Sequence, residues 1–373
     1  MIFIVGFELG VIRGYDNVRS AHIQLPYRLA IDLDARGYKV ILVTNRIREN
    51  LFFFPPEISH IPIRYISDPR VRGEKEVMHS GHSSKVSLLN SITSAMQLQR
   101  LIKLEKASVV HFCHGVLGVG MFAALTKILS RRKKILWTPT DPFLVRSFVL
   151  AKFLAHIDGI VSSTEYLSGH LNSQGLRSLV IKHGVSRELA LENNIKSRVT
   201  FWRDPSFENG ADIAFAVFKR LAVIFPQIKF TMMVRPHWNS LIEDSDIDNL
   251  EIYSYPYPNG VSLEGVLSET LVCYFPFRKL STNPQLCILE SLVSGIPCIV
   301  SNVGSVPEYV LDENCLLEDN TVDSAIEKIS SLLKSPDGLG RPTSPVTNGF
   351  HWESFVDDYI SIYGIGESNV NHS

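Results

Sequence analysis

The sequence has no run of about 18 apolar residues, so no segment reads as a membrane-spanning helix. Its beginning, MIFIVGFELG, has no basic stretch ahead of the apolar residues and no small-residue cleavage site, and does not read as a signal peptide. No two of its five cysteines (Cys113, Cys273, Cys287, Cys298, Cys315) are spaced as C-x-x-C, and nothing has metal-ligand spacing. Scattered thiols of this kind are expected to be buried and unreactive in a reducing compartment, and neither metal nor cofactor is expected. No G-x-G-x-x-G follows the first apolar run with an acidic residue about 20 positions on, which speaks against a nicotinamide-dependent enzyme. Internal repeats and low-complexity tracts are also lacking.

What is present is an ordinary globular composition, 45% hydrophobic and 20% charged, which excludes a disordered chain. A length of 373 residues suits two domains better than one core. Net charge is only −1, but it is unevenly spread. Residues 1–196 hold 26 of the 37 Lys and Arg and 15 of the 38 Asp and Glu, so they carry +11 and the remainder −12. Either the first part meets something anionic, such as a membrane surface, or the two parts attract one another.

Strand and helix signals alternate throughout, which predicts an α/β fold with parallel sheets. MIFIV, KVILVT, IPIRYI, SVVHFC, KKILWT, GIVSS and SLVIK read as strands, with helices between most of them, notably over 84–104, 117–130 and 143–156. A second series, VTFW, KFTMMV, LEIYSY, LVCYFPF, PCIVS and CLLE, begins near Val199, with helices in ADIAFAVFKRLAVIF, near 260–269 and in TVDSAIEKISSLL. The Pro/Gly/Ser stretch KSPDGLGRPTSPVTNG reads as a linker, and HWESFVDDYISIY after it as one more helix. The expected architecture is two doubly wound, Rossmann-like domains facing across a cleft. Residues 1–190 form the first, completed by a helix over 350–365, and 197–345 form the second. Such sheets bind ligands outside the carboxyl ends of their strands, which would place a site in that cleft.

The stretch 281–308, STNPQLCILESLVSGIPCIVSNVGSVPE, carries the sharpest local signal. Asn283 is a good N-cap, Pro284 a favoured first residue and Gly295 a good C′ residue, which predicts a helix over 284–294. Free amides at Gln285, Leu286 and Cys287 would form an anion site strengthened by the helix dipole. Glu290 lies seven residues past that cap, about 10 Å along the axis. It could accept hydroxyl hydrogen bonds from a ribose; a solvated or ion-paired carboxylate is the alternative from spacing alone.

In this segment Glu290, Gly295, Pro297, Gly304, Pro307 and Glu308 fall in register with a motif reading E-A-(M/L)-A-x-G-x-P-V … G-(G/S)-x-P-E. It resembles the donor-binding segment of glycosyltransferase family 4, in the GT-B superfamily. SRVTFWRDPSFENGADIAFAVFKRLAVIFPQIKF is similar to the strand–loop–helix that opens that family's second domain, VIKHGVS to its interdomain crossing, and HWESFVDDYISIY to its closing helix. VVHFCHG and LWTPTDPF match the first domain's V-I-H-x-H-G and T-x-H-D loosely.

The resemblance implies roles residue by residue. Glu290 matches the ribose-binding second Glu of the family's E-x7-E, and Thr282 stands where the first Glu would lie near the transferred sugar. Asn283, Pro284 and Gln285 replace Gly-Phe-Gly. Arg203 matches the Arg of the diphosphate clamp, whose Lys position falls at Glu208–Asn209. Arg278, Lys279 and Arg235 are the available substitutes. Thr140 stands in place of a His near the sugar, Asp141 follows it, and His114 sits just past a strand. Gly6, Gly10 and Gly14 would let backbone approach the ligands.

The implied function is a retaining, hexosyl-type transfer from a UDP- or GDP-sugar to an acceptor hydroxyl, in polysaccharide, glycolipid or glycan assembly. The catalytic candidates are Thr282, His114 and Asp141. The donor-binding candidates are Glu290, Arg203, Asn283, Gln285, Leu286, Arg278, Lys279 and Arg235. The alternative is a catalytically degenerate relative that binds a nucleotide or supports a partner. The expected partners are the nucleotide-sugar, a glycan or lipid-linked acceptor and an anionic membrane surface, with no nucleic acid. The basic stretches in LTKILSRRKKI and KVSLLNSITSAMQLQRLIKLEKA suggest docking on the inner face of a membrane from a cytoplasmic location. The polar loop 68–85 is expected to gate the acceptor.

Overall fold

Short, wholly apolar runs make strands buried on both faces, and longer stretches apolar on one side make the helices that cover them. In the computed structural model this alternation forms two units, Met1–Lys182 with Glu353–Ser373, and His183–Trp352. The structure describes residues 1–7, 9, 11–12, 21–45, 52–67, 88–113, 117–139, 148–185, 194–234, 246–278, 283–335 and 349–364. Loop 68–85, Gly10, Gly14 and linker residues 336–348 lie outside them.

The first unit runs β1 (Ile2–Val5), β2 (Val11–Ile12), α1 (Ala21–Ala35), β3 (Val40–Asn45), β4 (Phe52–Phe53), β5 (Ile63–Ile66), α2 (Leu88–Leu104), β6 (Val109–Phe112), α3 (Leu117–Leu129), β7 (Lys134–Trp137), α4 (Phe148–Leu154), β8 (Gly159–Ser162), α5 (Glu165–Ser173) and β9 (Leu179–Val180). Seven strands form a parallel sheet in the order β5-β3-β1-β6-β7-β8-β9, so the winding reverses between β1 and β6. Residues Ile2 to Val5 are at most 1% exposed, as expected of a central parallel strand. A small antiparallel pair, β2 with β4, has no counterpart in the sequence reading.

The second unit runs β10 (Arg198–Trp202), α6 (Ala211–Ile224), β11 (Lys229–Val234), β12 (Leu250–Ser254), α7 (Leu263–Ser268), β13 (Thr270–Phe275), α8 (Leu286–Val293), β14 (Cys298–Ser301), β15 (Leu316–Leu317) and α9 (Val322–Lys334). Its parallel sheet has the order β12-β11-β10-β13-β14-β15, and here the reversal falls between β10 and β13. Two parallel-sheet α/β units are therefore present, as the alternation predicts.

A glycine is required before α6. Gly210 has φ +70°, and a Cβ there would lie 1.8 Å from the Pro276 carbonyl oxygen, so the loop after β10 touches the segment after β13 backbone to backbone. At the other end of the sheet, Arg198 opens β10. Its Nε donates to Glu269 at 2.7 Å, and its Nη1 donates to Thr231 at 2.7 Å and to Glu251.

The last helix, α10 (Trp352–Tyr363), returns to the first unit from Glu353 onward. Tyr363 Oη lies 2.8 Å from His111 Nδ1, His111 Nε2 lies 2.8 Å from Thr138 Oγ1, and Thr138 Oγ1 lies 2.8 Å from Tyr359 Oη. All four side chains are buried on or beside β6, β7 and α10. Burial pushes the His111 imidazole down to about 3, so the ring is neutral and one of its nitrogens donates while the other accepts.

Candidate functional site

Ligands of open α/β sheets sit where the winding reverses, beyond the carboxyl ends of the flanking strands. In the second unit those strands are β10 and β13. Arg203 follows the end of β10, and the chain leaving β13 returns at Asn283 to start α8.

α8 begins two residues later than its sequence suggests. Its N-cap is Gln285, with φ −80° and ψ 113°, in place of Asn283. The Gln285 N–H donates to Tyr309 Oη at 3.2 Å, and its carbonyl accepts from Ile288 and Leu289 at 3.0 and 3.1 Å. Of the three amides expected to face an anion, the first is thus committed to a tyrosine. Those of Leu286 and Cys287 open the helix. Glu290 accordingly stands five residues past the cap, about 7.5 Å along the axis. The expected C-terminus is found: Gly295 has φ +77° and follows the C-cap Ser294.

Two side-chain contacts fasten β10 to this helix. Arg203 Nη2 donates to Gln285 Oε1 at 2.8 Å. Trp202 Nε1 donates to Ser291 Oγ at 3.1 Å, and Ser291 donates in turn to the Cys287 carbonyl at 2.7 Å. Arg203 Nε is buried and has no hydrogen-bond partner. Glu290 is 8% exposed, so it is a buried residue of α8 and not an open surface charge. The Cys287 thiol is pushed up to about 11, chiefly by burial, with Arg203 acting to lower it and Glu290 to raise it. It is no nucleophile, but its response places the guanidinium and the carboxylate near the same turn.

Arg278, expected at a diphosphate, has its fork filled. It donates to both oxygens of Asp212, at 2.5 and 2.7 Å, and to the Phe207 carbonyl at 2.8 Å, with its guanidinium 3.9 Å from the Phe207 ring centroid. The hydrogen bond from Arg278 is the main reason the Asp212 carboxyl lies below its usual value. Arg203, Asn283, Gln285, Leu286 and Glu290 are thus gathered on β10 and the start of α8. His114, Thr140, Asp141, Arg235, Lys279 and Thr282 lie outside the described residues. Tyr309, Trp202 and Ser291 belong to the site although sequence reasoning did not single them out. Tyr309 had one signal, its place directly after the motif's Pro307 and Glu308.

The arrangement offers one guanidinium, two helix-opening amides and the carboxylate of a buried glutamate farther along the same helix. That pattern suits a ligand with an anionic part and a hydroxylated part. Among the described residues no group of three or more His, Cys, Asp or Glu is placed to hold a metal. No described helix is long and apolar enough to cross a membrane.

No family model and no curated protein sequence matches the chain. Solved structures do. A glycosyltransferase from Rickettsia africae ESF-5 superposes with a TM-score of 0.71 at 13% identity, over 99% of both chains. Sucrose-phosphate synthase from Thermosynechococcus elongatus gives 0.67 at 15% identity, over 98% of both. HepE from Anabaena, in complex with UDP, gives 0.67 at 10% identity, over 98% of this chain and all of that one. The two doubly wound units, in this order and with this returning helix, have the GT-B fold of these glycosyltransferases.

Proposed function

We propose that the protein transfers a sugar from a nucleoside diphosphate sugar to an acceptor hydroxyl, with retention at the anomeric carbon. The observation that carries this reading is the meeting of Arg203, the start of α8 and buried Glu290 where the second sheet reverses. Arg203 and the amides of Leu286 and Cys287 hold the diphosphate, and Glu290 accepts hydrogen bonds from the ribose. The sequence resemblance adds Thr282, Asn283, His114 and Asp141 as candidates for the sugar, and Lys279 and Arg235 as candidate further cations. The leaving diphosphate gains charge as the glycosidic bond breaks, and a fixed guanidinium and helix amides stabilise that charge without reorganising. The departing oxygen can take the acceptor's proton on the same face, so the protein contributes positioning more than a strong base. The fold neighbour HepE, solved with UDP and with UDP-glucose, supports a donor of this class.

Association with an anionic membrane surface belongs to the same proposal. On α2, Leu89, Ile92 and Met96 are exposed at helical spacing, and Arg100 and Lys103 continue the exposed face. An apolar stripe running into cations suits a headgroup region. Flotation with anionic and neutral vesicles at low salt tests it; equal recovery in both would count against it.

The second reading, a relative that binds nucleotide without turnover, is favoured by one observation: Arg203 meets an uncharged amide and lacks the companion lysine. Calorimetry with UDP and GDP, followed by a transfer assay over a panel of sugar nucleotides, separates the two. In the transferase reading Glu290→Ala loses most activity and keeps its melting temperature; near-normal turnover in that variant would sink it.

A further inference from the structure

We infer that the Gln285 side chain is a stand-in for a ligand oxygen at Arg203, and that it must swing away before a nucleoside diphosphate can bind. The inference rests on the reading of Arg203 as the diphosphate's partner. Gln285 Oε1 takes a donor of the guanidinium at 2.8 Å, the contact a phosphate oxygen would make. The backbone of Gln285 is held on both sides, its N–H by Tyr309 Oη and its carbonyl by Ile288 and Leu289. Only the side chain is left to move.

The side chain's Nε2 also lies 3.4 Å from the Asn283 carbonyl oxygen, a long contact. It also under-serves the arginine. A guanidinium has five donors, and Arg203 Nε is buried without an acceptor beside the one that Gln285 occupies. A dianionic diphosphate matches that fork better than a neutral amide does, because it offers charged oxygens to two parallel N–H donors. The ligand therefore wins the exchange, but it must first break the amide's bond. Glutamine stands here where the resembling motif has a glycine, which has no side chain to displace. Gln285 thus weakens the nucleotide site while keeping a half-buried arginine partly satisfied.

The test is isothermal calorimetry with UDP on the full chain, comparing the parent with Gln285→Ala, Arg203→Ala and the double variant. Gln285→Ala is expected to bind UDP about three- to tenfold more tightly, the effect of one guanidinium–amide hydrogen bond no longer broken on binding. In the Arg203→Ala background the same change is expected to make no difference. Equal or weaker binding by Gln285→Ala, or a gain that persists without Arg203, overturns the inference. Should Gln285→Ala melt early, Gln285→Glu serves instead: its carboxylate grips Arg203 more firmly, so UDP binding falls at least tenfold at low salt and recovers partly at low pH, and a variant that binds as the parent does overturns the idea. Turnover is scored separately. Tighter UDP binding without sugar transfer upholds this inference and sinks the transferase reading, whereas transfer by the parent with no gain in Gln285→Ala sinks this inference alone.

Discussion

Arg198 opens β10 and Arg203 follows its end, so one strand carries an arginine at each side of the sheet. At the opening side, Arg198 has two carboxylates and a hydroxyl, and Lys229 reaches the same Glu251 at 3.2 Å. Burial alone would weaken its charge, but the hydrogen bonds and charges of Glu251 and Glu269 more than restore it. At the carboxyl side, Arg203 has one uncharged partner and an orphaned buried donor. Both side chains are partly buried, and among the described residues only Arg198 is ion-paired. The saturated arginine locks three strands together. On the proposed reading, the unsaturated one is the partner of a charge that comes from outside.

Five substitutions put this contrast at risk. The largest effect is expected from Arg203→Ala. It removes a preorganised cation from the leaving diphosphate and lowers kcat/KM for a sugar nucleotide by about a hundredfold or more, with a melting temperature within about 2 °C of the parent. Steady-state kinetics and calorimetric melting on the same sample decide this. Arg198→Ala should do the reverse. It leaves Glu269 without its partner and Glu251 with Lys229 alone, and costs about 2–3 kcal/mol, or about 5–10 °C in melting temperature, while kcat/KM well below the melt stays within about twofold. A large loss of turnover with unchanged stability in that variant would erase the contrast.

A subtler pair is Arg198→Lys against Arg203→Lys. Lysine cannot fork between two carboxylates, so the first should lose about 1 kcal/mol in denaturant titration. The second keeps a point charge and should bind UDP more tightly than Arg203→Ala does. The smallest effect lies in the acid limb. Burial would raise the Glu251 carboxyl, but hydrogen bonds and charges from Arg198 and Lys229 hold it below its ordinary 4.5. A carboxyl depressed in the folded state binds its proton more readily after unfolding. Its stabilisation is therefore present above about pH 4.5 and is lost as pH falls below that value. Arg198→Met should flatten this part of a stability–pH curve, measured by urea unfolding between about pH 3 and 6.

The alternation of strands and helices was legible in the sequence, because buried parallel strands are short apolar runs and Gly295 needs a left-handed turn that few other residues adopt. The site was legible only where local rules govern it. Asn283 and Pro284 are good helix starters by type, yet the helix starts at Leu286 because a hydroxyl 24 residues downstream takes the Gln285 amide. Arg278 reads as a spare cation until Asp212, 66 residues earlier, fills its fork. Spacing along the chain carries no trace of such pairs. The motif register placed Glu290 in the right helix, but only the packing around α8 shows that the residue is buried.

The hydroxyl–imidazole chain between α10 and β6 also bears on the order in which the protein can be made. His111 and Tyr363 are 252 residues apart, and the whole of the second unit is encoded between them. A ribosome finishes His183–Trp352 before it releases the helix that the first sheet needs. Until then Thr138 and His111 are exposed on a sheet without its cover, a species prone to sticking to its neighbours. The later half of the chain is therefore the half that can fold first, and synthesis slowed just before residue 352 should lengthen the life of the vulnerable form.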